Sequence, residues 1–342
     1  MKNIVKNFPP SWFACTMGTG ILANVSYMYS SWIPALKSIS VVLFWLNFVI
    51  FFLLLTMWIT RWIAFPKEAL KDLKDPIAGN FYPTLGVGML VIAAGSLLII
   101  KSTSIAWTFW SFGTAFTLVF SFLIPMIYFV SEHVEVHHLN PAWFIPPVGL
   151  IVIPIAGSSL LAKTTGIHHD FLSTLNLFSW GAGFFLYIAL HAVMIYRFIL
   201  HRPLPSSLSP TVWINLGPVG AGILSLIGIA KAIFPDALNG IVIFSVFLWG
   251  IGFWWLVIAI IMTLVYILKR DFKFAMSWWA FTFPLGAYVA SCHLLSKFTS
   301  FASMDYIGFA FYILLFILWI VTFTRSFVFR VVIPILRSKF TP

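Results

Sequence analysis

Long apolar runs separated by short polar or proline-rich breaks set the pattern of this chain. Two of them, VVLFWLNFVIFFLLLTMWIT and IVIFSVFLWGIGFWWLVIAIIMTLVYIL, each supply the roughly 20 apolar residues that carry a helix across a bilayer's hydrocarbon core. No alternation of apolar and polar residues in segments of about ten runs through them, which argues against a membrane β-barrel. Cutting at the breaks predicts ten spans, near 12–30, 39–63, 81–101, 105–130, 143–163, 171–200, 211–231, 240–268, 275–297 and 304–330. The expectation is an all-α integral membrane protein, with residues 1–342 forming one transmembrane domain of five helical hairpins.

Composition agrees: 61% of the residues are hydrophobic and 8% charged, which no ordinary soluble domain matches. The first apolar segment follows Lys2 and Lys6, but it continues into NVSYMYSSWIP without a small-residue cleavage site, so it reads as a retained span. Cys15 and Cys292 both fall within spans and define no disulfide framework. The net charge of +11 points to membrane topology, not to nucleic acid. Fifteen of the twenty Lys and Arg residues fall on the side of the N-terminus, so the positive-inside rule places both termini in the cytoplasm of a multi-pass cell-membrane protein. The other five, Lys37, Lys101, Lys163, Lys231 and Lys297, each follow an odd-numbered span at intervals of 62 to 68 residues, the signature of an internal repeat.

A second feature repeats in step. FPPSWFACTMGTGI near the start is echoed by FYPTLGVG at 81, WFIPPVG at 143, WINLGPVG at 213 and WWAFTFPLG at 278. Each sets aromatic residues beside a proline or glycine cluster near the start of an odd span. Odd spans hold twelve glycines against seven in the longer even spans, and all the span prolines but Pro125. Proline removes a backbone hydrogen bond, and the carbonyl it frees is tolerated at membrane depth only against protein or a water-filled cavity. The odd helices are therefore expected to surround a central pore, with the Phe-, Trp- and Leu-rich even helices as an outer ring. Close helix packing through small residues is the plainer alternative for any single glycine.

FPPSWFACTMGTGI, HLNPAWFIPPVGLIVIPIAG and WWAFTFPLG, in that order along ten spans, resemble the tellurite-resistance/dicarboxylate transporters, also called the voltage-dependent anion channel family. Its members include plant guard-cell slow anion channels, yeast malate permeases and sulfite efflux pumps, and NPAWFIPP looks closer to the malate and sulfite branch. The resemblance implies a homotrimer in which each protomer has its own pore, lined by the odd helices and occluded by a phenylalanine of the ninth. That residue falls on Phe283, followed by Pro284, with Phe281 out of register by one or two positions. The long soluble tails of the plant channels are missing, which speaks against the same kinase control.

No Asp, Glu, Lys or Arg falls deep within an odd span, which argues against an acidic ion-coupling site and leaves neutral donors to meet an anion. The candidates are Thr16, Thr19, Thr84, Asn215 and Thr282, each of which could instead bond back to its own helix. The five lysines would draw anions to the outer mouth, or else snorkel singly at helix ends. In SEHVEVHHLNP, His133 and His137 have the i, i+4 spacing of helical metal ligands but lack the His-Glu-x-x-His arrangement, so no metal is assigned. His191 and His293 read as packed histidines. Without a nucleophile–base pair, metal triad or nucleotide loop, neither an enzyme nor a cofactor is expected. Nor is any signalling domain attached. The reading is transport of small anions, C4-dicarboxylates such as malate first and chloride, nitrate, sulfite or tellurite as alternatives.

Overall fold

The computed structural model describes residues 2–132, 134–269 and 272–328. His133 lies outside the described residues, as do Arg270, Arg330, Arg337 and Lys339 among the charges counted above. Ten long helices follow the ten spans: α1 Ala14–Met28, α2 Ala35–Ala64, α3 Thr84–Gly95, α4 Thr103–Phe129, α5 Ile145–Leu161, α6 Gly166–Leu200, α7 Leu216–Ile233, α8 Leu238–Leu268, α9 Phe283–Thr299 and α10 Ala302–Phe327. Eight of them, some counted with the turn that precedes or follows, are long and apolar enough to cross a membrane. The exceptions, α1 and α9, have 15 and 17 residues, and each is extended at its start by a short 3₁₀ segment.

Such a segment introduces every odd helix: Pro10–Phe13, Gly79–Phe81, Pro141–Phe144, Ser209–Asn215 and Met276–Phe281. These are the repeated aromatic motifs of the sequence. The odd helices consequently begin two to eight residues later than the pattern predicts. Most of their prolines open helices and do not break them. Pro83 caps α3, Pro146 and Pro147 lie in the first turn of α5, Pro218 in that of α7 and Pro284 in that of α9. An N–H is unpaired in a first turn anyway, so proline costs little there. Among the described residues, only Pro154 of α5 and Pro125 of α4 lie inside helices.

The five odd helices form a closed inner ring. Each packs on the next, from α1 to α3, α5, α7 and α9, and α9 returns to α1. The 3₁₀ segments close a matching ring at the same end. Each even helix packs on the odd helix before it in the chain. Burial separates the two rings: 78, 89 and 83% of an apolar 18-residue stretch in the spans built on α3, α5 and α7 is buried, against 22 to 39% of the same length in the even spans. The ring is tight because glycines admit side chains from neighbouring helices. Thr16 fills the hollow at Gly88, Thr282 that at Gly18 and Thr117 that at Gly86, while Gly220 lies against the Ala287–Tyr288 peptide. Tryptophans of the outer helices tie into the inner ring, as in Trp110 to the Ile153 carbonyl, 2.9 Å, and Trp319 to the Thr19 hydroxyl, 3.0 Å.

We call the end with the 3₁₀ ring the proximal face and the other the distal face. On the proximal face Arg61, buried at the end of α2, pins the chain ahead of the first motif. Its guanidinium donates to the carbonyls of Lys6 and Phe8, 3.1 and 2.6 Å, and to Asp72 Oδ2, 2.7 Å, on a surface helix, Pro66–Lys74.

Candidate functional site: the axis of the inner ring

Two cavities lie along the axis. The distal one is about 490 Å³ and draws its wall from all five inner helices, among them Ile21 of α1, Leu90 of α3, Val152 of α5, Leu224 of α7 and Ala287 of α9. Its wall is apolar apart from Asn24, Ser159 and Lys101. The proximal cavity is about 40 Å³ and is lined by the first residues of the inner helices: Ala14, Thr84, Ile145 and Phe283, with Gly217 one residue into α7. All five helices therefore turn their N-terminal ends toward this small space. A helix N-terminus carries a fractional positive charge, worth about 0.3–1 kcal/mol to a nearby anion in exposed settings. The sum favours an anion without a cation being present.

Phe283 is the one described residue common to the two walls. It is 4% exposed and sits at the first position of α9, where Thr282 holds the chain in place by donating to the Trp279 carbonyl, 2.7 Å. Phe281 lines neither cavity and packs edge-on against Trp213, ring centroids 5.3 Å apart.

The neutral-donor candidates separate. Thr84 lines the proximal cavity, although its hydroxyl donates to the Phe81 carbonyl. Thr16 donates to the Phe13 carbonyl, 2.7 Å, Thr19 accepts from Trp319, and Thr282 is spent as described, so these three hydroxyls serve the packing of the ring and line neither cavity. Asn215 Oδ1 pairs with His191 Nδ1 at 3.1 Å, away from both cavities. The five lysines are all exposed and flank the distal ends of inner helices, but Lys101 alone of them lines the cavity. It follows a π-turn, Ser96–Ile100, and its backbone is left-handed at φ 60°, a conformation that disfavours a side chain. That twist brings its ammonium to 5.3 Å from the centre of the Tyr27 ring. Lys231 instead rests over Phe298, 5.7 Å. In the loop after α4, His137 pairs with Glu135 at 3.1 Å, both well exposed.

The profile described as voltage-dependent anion channel matches residues 7–327. The chain belongs to that family. Its relatives include an uncharacterized transporter of Methanocaldococcus jannaschii, 50% identical over 95% of this chain and 96% of that protein. A sulfite efflux pump of Trichophyton rubrum is 27% identical over 94% of this chain and 90% of the pump, and a malic acid transport protein of Schizosaccharomyces pombe 23% identical over 92% and 77%. The protein is thus a multi-pass membrane protein of an anion-transport family, and the family resemblance drawn from its motifs holds across the chain.

Two polar residues of the distal cavity wall escaped the sequence reading of this anion channel family member. Asn24 lines the distal cavity, its amide 3.5 Å from the Val91 carbonyl and its Oδ1 buried without a partner. Ser159, on α5, lines the same wall. A lone Asn in an apolar span was the available signal. His293 also acquires a partner that the odd spans do not contain: Asp305 of α10, at 2.9 Å.

Proposed function

We propose that the chain passes small anions along the axis of the inner ring, between a cytoplasmic proximal face and an external distal face of the cell membrane, with Phe283 as the gate. The observation that carries this reading is the position of Phe283 in the walls of both cavities. Its ring stands where the 490 Å³ space meets the 40 Å³ one, and an apolar side chain in a narrow neck makes wetting costly. Its withdrawal would join the two spaces. The N-terminal helix ends favour an anion on one side of the ring and Lys101 on the other. In the same reading flux runs down the anion's own gradient, with one pathway in each protomer of a homotrimer.

The wall also bears on the substrate. Moving an ion out of water costs in proportion to the square of its charge, and among the described residues one cation lines the distal cavity. A doubly charged anion therefore meets a barrier of about four times the Born cost of a singly charged one of equal size. The species that crosses is singly charged: half-protonated malate among C4-dicarboxylates, hydrogen sulfite or nitrate among smaller anions. Flux in proteoliposomes of the purified protein tests this with nitrate, chloride, sulfite, succinate and malate. Nitrate should cross readily, and malate increasingly as acidification enlarges its singly charged fraction. Lys101→Gln should slow nitrate most at low ionic strength, where Coulomb attraction is least screened. Absence of flux for every anion, or malate flux indifferent to its charge, would overturn the reading.

A further inference from the structure

Helix α9 carries an ionisable group that the pathway walls leave unused. His293 is 3% exposed and lies beside Leu294, a residue of the distal cavity wall. Its Nδ1 is 2.9 Å from Asp305 Oδ1 at the start of α10. Tyr29, in the 3₁₀ turn Tyr29–Ser31 that follows α1, completes the enclosure: its ring meets the imidazole at 4.9 Å between centres, and its hydroxyl donates to the Asp305 carbonyl, 3.3 Å. The other nitrogen, Nε2, is buried and has no partner.

Other titratable groups approach from each neighbouring element. The turn after α1 contributes Tyr29, and α10 contributes Asp305 and Tyr312, the latter 3.0 Å from Ser26. α9 itself contributes Cys292 and, one turn on, Lys297, while α7 ends with Lys231 over Phe298. α8 brings the Trp249 indole, which donates to Cys292 Sγ at 3.1 Å. Among these groups the imidazole is the one that ordinarily changes charge near neutral pH. A neutral imidazole donates Nδ1–H to the carboxylate, and the pair carries one negative charge. A proton at Nε2 uses a lone pair that no hydrogen bond occupies and makes the pair neutral.

We propose that His293 and Asp305 form a proton-binding site that sets the charge behind the distal cavity wall, so that protonation admits anions more readily. The proposal rests on the anion-transport reading above. A unit charge roughly 10 Å from an anion, at an effective dielectric of 20, changes its occupancy on the order of tenfold. Proton uptake therefore raises flux even for an anion whose own charge does not titrate.

Nitrate flux measured with equal pH on both sides of the vesicles, from about pH 8 down to pH 5, isolates this effect from substrate protonation and from orientation. The wild-type flux should rise on the order of tenfold, and the rise should vanish in His293→Gln and in Asp305→Asn, with Asp305→Asn fixed near the high level. A purely structural clamp would instead lower flux at every pH and leave the profile intact, which overturns the proposal. ¹⁵N-histidine spectra of the full-length protein follow the imidazole without any transport. A His293 signal that titrates in that range supports the site even if no anion crosses, in which case the transport reading falls alone. A signal unchanged between pH 4 and 9 overturns the site whatever the flux.

Discussion

At the scale of a residue, Phe283 faces a choice between two physical roles, and substitution separates them. If the ring only filled space between helices, Phe283→Ala would leave a cavity and cost roughly 3–5 kcal/mol, so yield and flux would fall together. The ring lines space on both sides, so its loss should remove a plug and leave the neighbouring contacts of the fold in place. The expected outcome is a folded protein with markedly higher anion conductance in planar bilayers. Phe281→Ala is the control: that ring lies against Trp213, Trp278 and Phe272, off the axis, and its removal should destabilise without opening. Unchanged or lower conductance from well-folded Phe283→Ala would defeat the gate. Phe283 was singled out only by the family resemblance of its motif, and the structure adds its place in both cavity walls. Asn24 and Asp305 were not legible in the sequence, because which side of a helix faces the axis, and which outer residue reaches an inner one, depend on contacts across the ring.

At the scale of an element, a glycine pressed against a neighbouring helix differs from one that faces open space. An added Cβ at Gly220 of α7 would collide with the Ala287–Tyr288 peptide of α9, and a backbone cannot swing aside as a side chain can. At Gly250 of α8 and Gly181 of α6 the same Cβ would meet nothing within 4 Å. Gly220→Ala should therefore cost about 1–3 kcal/mol through overpacking. Gly250→Ala and Gly181→Ala should be neutral or gain about 0.5–1 kcal/mol from reduced backbone freedom in the unfolded chain. Thermal unfolding midpoints in detergent check the contrast, and equal losses at all three would remove the distinction between packed and open glycines. The order of the spans could be read from hydropathy and the breaks between them, but not where each odd helix begins. The prolines could be located but not interpreted, since nothing local distinguishes a proline that opens a helix after a 3₁₀ turn from one that breaks it.

At the scale of the whole molecule, the spacing of five lysines and five aromatic motifs reveals a repeat but not its closure. Closure needs partners far apart in the chain: Thr282, just ahead of α9, against Gly18 of α1, and the Trp319 indole on Thr19, 300 positions away. Those contacts make the ring complete within one polypeptide, so both cavities and Phe283 belong to a single protomer. In the homotrimer proposed above each chain would hold its own pathway, and conductance should be additive. Wild-type and Phe283→Ala chains carrying different tags can be coexpressed and the mixed trimers isolated by two affinity steps. One variant chain should give about one third, and two about two thirds, of the conductance gained by three, in steps of equal size. A pathway shared between protomers would behave otherwise, staying shut until every chain is altered or opening fully with the first. Additive steps require the five inner helices of each chain to enclose a pathway of their own.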